Sequence, residues 1–255
     1  MAARLEDKVI IVAGAGGIGS GLARRYAAEG ASVILGDIDE YAARSTADAI
    51  VAAGGRATGA LLDGADEDSV RAVVDLAVST HGGLDGFHAN FASFADGKSG
   101  ADVLGLPLDI YDDVMRVNAR GFLLCTRHAV PAMIARGGGA MLYTSSGAAH
   151  AGEVVRVAYA MSKAAGHALM RHVARRFGPQ GIRANAIAPG VIRHEAFDAA
   201  ISPEMAKAMR ASVPIQSRLG EAEDIAALGA LLMSDEGSYI TGQVLSVDGG
   251  GTMRL

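Results

Sequence analysis

Cysteine is almost missing from this chain of 255 residues. Cys125 stands alone, so no intramolecular disulfide can form, which fits a reducing compartment. Lying in the apolar run 121–125, it reads as a small core residue. No apolar run approaches the ~18 residues of a membrane helix. Residues 1–8 are polar and carry no signal-peptide pattern. The expected location is therefore cytoplasmic, with no membrane partner. Positive charge is not in excess either. Lys and Arg number 23 against 28 Asp and Glu, a net charge of −5, which argues against a nucleic-acid partner. There is no low-complexity segment, charge block, Pro-rich linker or solenoid repeat to divide the chain. One domain spanning 1–255 is the expectation.

What recurs instead is a short apolar run followed by a longer amphipathic stretch. Strands are predicted at 9–13, 32–35, 57–62, 84–89, 140–144, 182–188 and 244–247. Helices are predicted at 17–29, 41–53, 67–80, 110–136, 159–177 and 221–233, with a break in the long one near Pro131. Strands alternating with helices of this length mean right-handed βαβ units and a parallel sheet covered on both faces. The fold class is α/β: a doubly wound sheet of about seven strands, of the Rossmann type.

Residues 9–19 read VIIVAGAGGIG. Gly14, Gly16 and Gly19 form G-x-G-x-x-G between the first strand and the first helix, with Gly17 and Ile18 inside the loop. Gly14 permits the tight turn, Gly16 lets the backbone approach a pyrophosphate, and Gly19 lets helix and strand pack closely. The exposed N–H groups and the positive helix end then face the phosphates. Asp37 ends the second strand, 23 residues after Gly14. An acid there accepts hydrogen bonds from adenosine ribose hydroxyls and repels a 2′-phosphate. Ile38 follows rather than Arg, so NAD is favoured over NADP.

Tyr159-Ala-Met-Ser-Lys163 places a phenol and an ammonium four residues apart, on one face of a helix. A nearby ammonium is expected to lower the phenol's pKa from its usual ~10, making Tyr159 a proton donor or acceptor near neutral pH. Ser146 closes the fifth strand 13 residues earlier, at the carboxyl edge where ligands bind such sheets. Its hydroxyl can hold a substrate oxygen. His150, Glu153 and Arg156 lie between the two and read as solvated loop residues. His150 has no second ligand at metal spacing, and no metal is expected.

The glycine turn, Ser146, Tyr159 and Lys163 together resemble the short-chain dehydrogenase/reductase family, from Leu5 to Gly250. Further stretches are similar to it: Asn118 in V-N-A-R-G-F, Leu62-Asp63, N-A-I-A-P-G at 185–190, and I-T-G-Q-V-L-S-V-D-G-G at 240–250. The resemblance implies that Ser146 positions the carbonyl or hydroxyl and Tyr159 is the acid or base. Lys163 would anchor ribose and tune Tyr159, while Asn118 supports a water relay. It further implies cofactor contacts at Asp63, Asn90, Tyr159, Lys163, Pro189, Gly190 and Ile192, and a homotetramer.

Three positions depart from the family pattern. Ala13 replaces the usual Thr, and the glycine spacing is one residue shorter. The fourth strand ends Ala89-Asn90-Phe91-Ala92 instead of N-N-A-G. His194 stands near the place of a nicotinamide-binding Thr.

Residues 191–214, with Met205 and Met209, are expected to form a lid over the site, and the polar loop 92–107 to form its rim. The function expected is NAD-dependent interconversion of a secondary alcohol and a ketone. Two alternatives stand beside it: a non-catalytic dinucleotide-binding regulator or scaffold, and an NADPH-dependent 3-oxoacyl-type reductase. Enoyl reductases of this fold space the Tyr and Lys more widely.

Overall fold

The computed structural model describes residues 3–253, apart from the side chains of residues 195 and 196. Seven strands, β1 (Val9–Ala13), β2 (Ser32–Asp37), β3 (Arg56–Leu61), β4 (Gly86–Ala89), β5 (Gly139–Thr144), β6 (Ile182–Pro189) and β7 (Val244–Val247), form one sheet in the order β3-β2-β1-β4-β5-β6-β7. Every pairing is parallel.

The connecting helices are α1 (Gly17–Ala28), α2 (Glu40–Ala52), α3 (Glu67–His81), α4 (Ala95–Ser99), α5 (Leu108–Val114), α6 (Gly121–Ala135), α7 (Val157–Phe177), α8 (Glu195–Ala200), α9 (Pro203–Ala211) and α10 (Ala222–Met233). Side chains set several of their starts. Asp39 caps α2 by accepting from the Ala42 amide at 3.1 Å, and Asp66 caps α3 by accepting from Ser69 at 2.7 Å.

β1 is buried at all five positions because helices cover both faces of the sheet. One apolar layer joins Val73, Phe122, Met133, Met170 and Val173 beneath α3, α6 and α7. The opposite layer joins Leu22, Tyr26, Ile225 and Leu232 of α1 and α10. The strand order reverses direction between β1 and β4, the crevice in which doubly wound sheets bind ligands. Ala13 and Ala89 are level across that crevice, and the Asn90 amide donates to the Ala13 carbonyl at 2.8 Å.

The seven strands fall where the hydrophobic runs predict them, within a residue or two. The predicted helix 110–136 is interrupted at a different place. Its break is a π-helical turn at Met115–Arg120 between α5 and α6, while Pro131 is accommodated inside α6. The wider turn brings Asn118 into the interior, where its side chain makes three hydrogen bonds that no local pattern discloses. The loop at 92–107 contains α4, and the 191–214 segment contains α8 and α9. No helix among the described residues is long and apolar enough to cross a membrane.

Candidate active site

Gly14 adopts φ +105°, a left-handed conformation that favours glycine, and turns the chain sharply out of β1. A Cβ at Gly19 would overlap the Gly14 carbonyl oxygen, so helix and turn touch backbone to backbone. Gly16 differs from both. Its backbone is ordinary (φ −57°, ψ 177°), and a Cβ there would meet nothing within 4 Å.

The fold leaves room for a side chain at position 16, whereas a ligand lying against the turn would need that space. The N-terminus of α1 has no side-chain cap and no acid in its first turn, which leaves its amides open to an anion. These features fit a pyrophosphate.

Around the turn stand most of the residues picked out by motif. Asp37 accepts from the Ala15 amide at 2.6 Å and from Asp39 at 2.9 Å, tying the end of β2 to the turn. Asn90 donates from Nδ2 to the Gly14 carbonyl at 3.3 Å. Ile18 is half-buried at the start of α1. Asp63 lies beyond β3, where its Oδ1 accepts from the Ala65 amide at 2.9 Å and its own amide donates to Ser69. Pro189 is buried at the end of β6, Gly190 is exposed, and Ile192 is buried through a short bridge to Gly220. The His194 side chain packs against Gly17 and caps α8, its Nδ1 accepting from Phe197 at 3.3 Å.

The second cluster sits across the crevice. Tyr159 and Lys163 lie one turn apart on α7, both buried. Arg156, in the left-handed region at φ 62°, precedes the helix and does not cap it. Asp96 of α4 takes that role from another part of the chain, its Oδ2 accepting from the Tyr159 amide at 2.8 Å. The other oxygen of Asp96 is buried without a partner among the described residues.

The Ser146 side chain favours the ionised form of the Tyr159 phenol, and its Oγ accepts from the Ala148 amide at 3.2 Å. Phe94 stacks on the Tyr159 ring at 5.0 Å, and the Arg156 guanidinium lies 5.7 Å from the ring centre, paired with Glu153 at 2.8 Å. His150 stacks on the buried His167 ring at 4.9 Å.

The electrostatics differ from the expectation that the lysine lowers the phenol. Burial, the largest influence, pushes Tyr159 above its ordinary value; the Ser146 side chain and the Arg156 charge pull it back down. Lys163 is itself drawn down to about 7 by burial. Its Nζ donates to the Thr144 carbonyl at 2.8 Å and stands 4.7 Å from the Phe122 ring centre and 5.6 Å from that of Tyr159.

Asn118 is fully buried. It accepts from the Ser93 amide at 2.6 Å and donates to the Ser93 carbonyl and the Ser162 hydroxyl at 3.1 Å each. It thus fastens the loop after β4 to α7. Ser146, Gly190 and Ile192 open onto a cavity of about 750 Å³ whose wall includes Met209, Val213 and Arg156.

Sequence reasoning missed Phe94, Asp96 and Ser162. Phe94 and Asp96 lie in the 92–107 loop and Ser162 is an interior position of the Tyr159–Lys163 stretch, and each matters through a contact more than 40 residues away in the chain.

This sheet, with its glycine turn and a Ser–Tyr–Lys cluster at one switch point, defines a dinucleotide-fold oxidoreductase, and comparison with known proteins gives the family. A family model described as enoyl-(acyl carrier protein) reductase matches residues 12–252. An uncharacterized oxidoreductase of Mycobacterium tuberculosis is 42% identical over 98% of this chain and 99% of its own. The 7alpha-hydroxysteroid dehydrogenase of Escherichia coli is 36% identical over 99% of this chain and 97% of its own. A solved 7 alpha-hydroxysteroid dehydrogenase, in complex with NADH and 7-oxo glycochenodeoxycholic acid, superposes with a TM-score of 0.91 at 34% identity, covering 99% of this chain and 97% of that one. The chain belongs to the short-chain dehydrogenase/reductase family.

Proposed function

We propose that this protein is an NAD(H)-dependent oxidoreductase that interconverts a secondary alcohol and a ketone, with Tyr159 as the acid or base. The observation that carries the reading is the buried Tyr159 phenol, its ionised form favoured by Ser146 of the cavity wall, with Lys163 on the same face of α7.

A bound nicotinamide supplies the hydride chemistry, and the protein supplies orientation and the proton. Gly14, Gly16, Gly17, Ile18 and Gly19 would cradle the pyrophosphate. Asp37 would take the adenosine ribose, Asp63 and Asn90 would flank the adenosine side, and Pro189, Gly190 and Ile192 would line the nicotinamide end. Lys163 would hold ribose hydroxyls.

The carboxylate of Asp37 would face a 2′-phosphate without a compensating cation from Ile38, which supports NAD over NADP. The solved relative that carries NADH points the same way.

Ser146 would hold the substrate oxygen. Because Tyr159 keeps its proton near neutral pH, the phenol already carries what a carbonyl oxygen takes up during reduction. In the oxidative direction the phenol has to be free to accept a proton, and Ser146 and Arg156 favour that form. Asn118 would hold the loop after β4 against α7. The cavity's volume and its Val191, Met209, Val213 and Ile215 wall suit a cyclic secondary alcohol of medium size, with residues 191–214 as its lid.

The test is Tyr159→Phe, with NADH affinity measured by calorimetry and turnover followed at 340 nm on a panel of cyclic secondary alcohols. The expected result is unchanged NADH affinity with turnover reduced about 10²- to 10⁴-fold. NADH binding with no turnover by the unsubstituted chain on any panel member would favour the regulator instead. Good turnover with NADPH and ketones alone would reverse the cofactor.

A further inference from the structure

β4 carries a histidine where its neighbours are apolar. His88 is fully buried and points into the layer formed by Val12, Leu142, Leu22 and Tyr26. An imidazole in such a place costs desolvation unless both ring nitrogens are satisfied. Here both are. Nδ1 lies 2.9 Å from the Tyr26 hydroxyl, and Nε2 lies 3.0 Å from the Thr144 hydroxyl. Thr144 in turn donates to Asn90 Oδ1 at 2.8 Å, and Asn90 Nδ2 donates to the Gly14 carbonyl at 3.3 Å. Room for the Tyr26 hydroxyl comes from Gly229 of α10, where a Cβ would collide with it.

The direction of every bond in this chain follows from its last member. A carbonyl only accepts, so the Asn90 amide must turn its NH₂ toward Gly14 and its oxygen toward Thr144. Thr144 then spends its one proton on Asn90 and must accept from His88 Nε2–H. Burial holds the imidazole neutral, its pKa drawn down to about 3, so Nδ1 has only a lone pair and must accept from Tyr26. Five groups on four elements thus share a single consistent set of proton positions. The chain ends on the residue with the left-handed turn, at the carbonyl against which Gly19 packs.

We infer that Tyr26, His88 and Thr144 are positioning residues for the dinucleotide, acting through Asn90 to hold the glycine turn in its binding geometry. The inference rests on the dinucleotide reading of that turn. Thr144 is the pivotal member. Without its hydroxyl, nothing on that side prefers the amide oxygen of Asn90 over the amide nitrogen, and the flipped amide would set oxygen against the Gly14 oxygen. The Thr144 backbone carbonyl also receives Lys163, so one residue bridges the turn and the proposed ribose anchor.

The experiment is calorimetric titration of Thr144→Val, Thr144→Ser, Asn90→Ala and Asn90→Ala/Thr144→Val with NADH, alongside steady-state kinetics at saturating dinucleotide. Losing one positioning bond is expected to weaken NADH binding about tenfold in Thr144→Val. In that variant kcat should stay within about twofold, and Thr144→Ser should bind like the unsubstituted chain. In the Asn90→Ala background the valine should add no further loss, because the threonine acts through the asparagine.

NADH binding unchanged in Thr144→Val would overturn the inference, as would the same loss in both backgrounds. Failure of the unsubstituted chain to bind NADH at all would overturn the functional reading and this inference with it. If Thr144→Val does not fold, Tyr26→Phe reads the chain from its far end. An NADH affinity about threefold weaker supports the inference there, and an unchanged affinity counts against it.

Discussion

The floor of the site and its outer wall are built on opposite terms. At the carboxyl end of β1, the glycine turn rests on a strand buried at every position and is tied by side chains to β2 and β4. Across the cavity, α9 has no buried residue, and Met205 is half exposed. The floor is over-determined: Gly14, Asp37, Asn90 and Thr144 each constrain another. The wall is held by end caps, such as the Ser202 hydroxyl accepting from the Met205 amide at 3.2 Å, and by few apolar contacts. On the proposed function a dinucleotide pocket would have one fixed guest, whereas a substrate wall would open and close. Local stability divides accordingly.

Two glycines inside the floor give the sharpest way to break this contrast. Gly19→Ala would force a methyl into the Gly14 carbonyl, and the expected cost is about 3 kcal/mol of unfolding free energy with NADH binding lost. Gly16→Ala has open space around the new methyl and no backbone strain, so its thermal midpoint should match the unsubstituted chain. Its methyl would stand where the pyrophosphate is proposed to lie, so NADH affinity should fall at least tenfold. Thermal melts and calorimetry on the pair check this. Equal affinity losses with equal destabilisation would mean that position 16 serves the fold after all.

The same pair shows what a sequence can disclose. The positions of the strands and the glycine turn are legible because they rest on local chemistry: apolar runs, and a glycine spacing that backbone geometry dictates. Ser146, Tyr159 and Lys163 are legible as a helical spacing beside a strand end. The π turn that buries Asn118 is not, because its cause is hydrogen bonding to Ser93 and Ser162, distant in the chain. The pKa of Tyr159 was not legible either. Four-residue spacing places the lysine on the same face, but only the packed structure shows Lys163 reaching Thr144 and burial outweighing charge.

A smaller effect separates floor from wall by pH. Burial draws Lys163 to about 7, below its ordinary 10.5. Between these values the unfolded chain binds the proton and the folded chain does not, so raising the pH through this window stabilises the fold, and lowering it toward 7 removes that gain. From pH 7 to 8.5 the gain is up to about 2 kcal/mol, at roughly 1.4 kcal/mol per unit. Lys163→Met should lack this slope, whereas Met209→Ala in the wall should keep it. Urea unfolding of the three proteins at both pH values measures the difference. Parallel stability lines for the unsubstituted chain and Lys163→Met would mean that the lysine is not desolvated.

The smallest effect is expected in the wall itself. Met209 lines the cavity from a helix with no buried residue, so Met209→Ala would remove a contact for substrate without opening a void in a packed core. The thermal midpoint and NADH affinity should stay at their unsubstituted values, and KM for a cyclic alcohol should rise about three- to tenfold, in line with the loss of a few buried methylene equivalents. A fall in thermal midpoint comparable to that of Gly19→Ala would show that α9 belongs to the rigid body of the sheet. Wall and floor would then be one structure, and substrate entry would need a different moving part, for which the α4 segment carrying Asp96 next to Tyr159 is the remaining element at the rim.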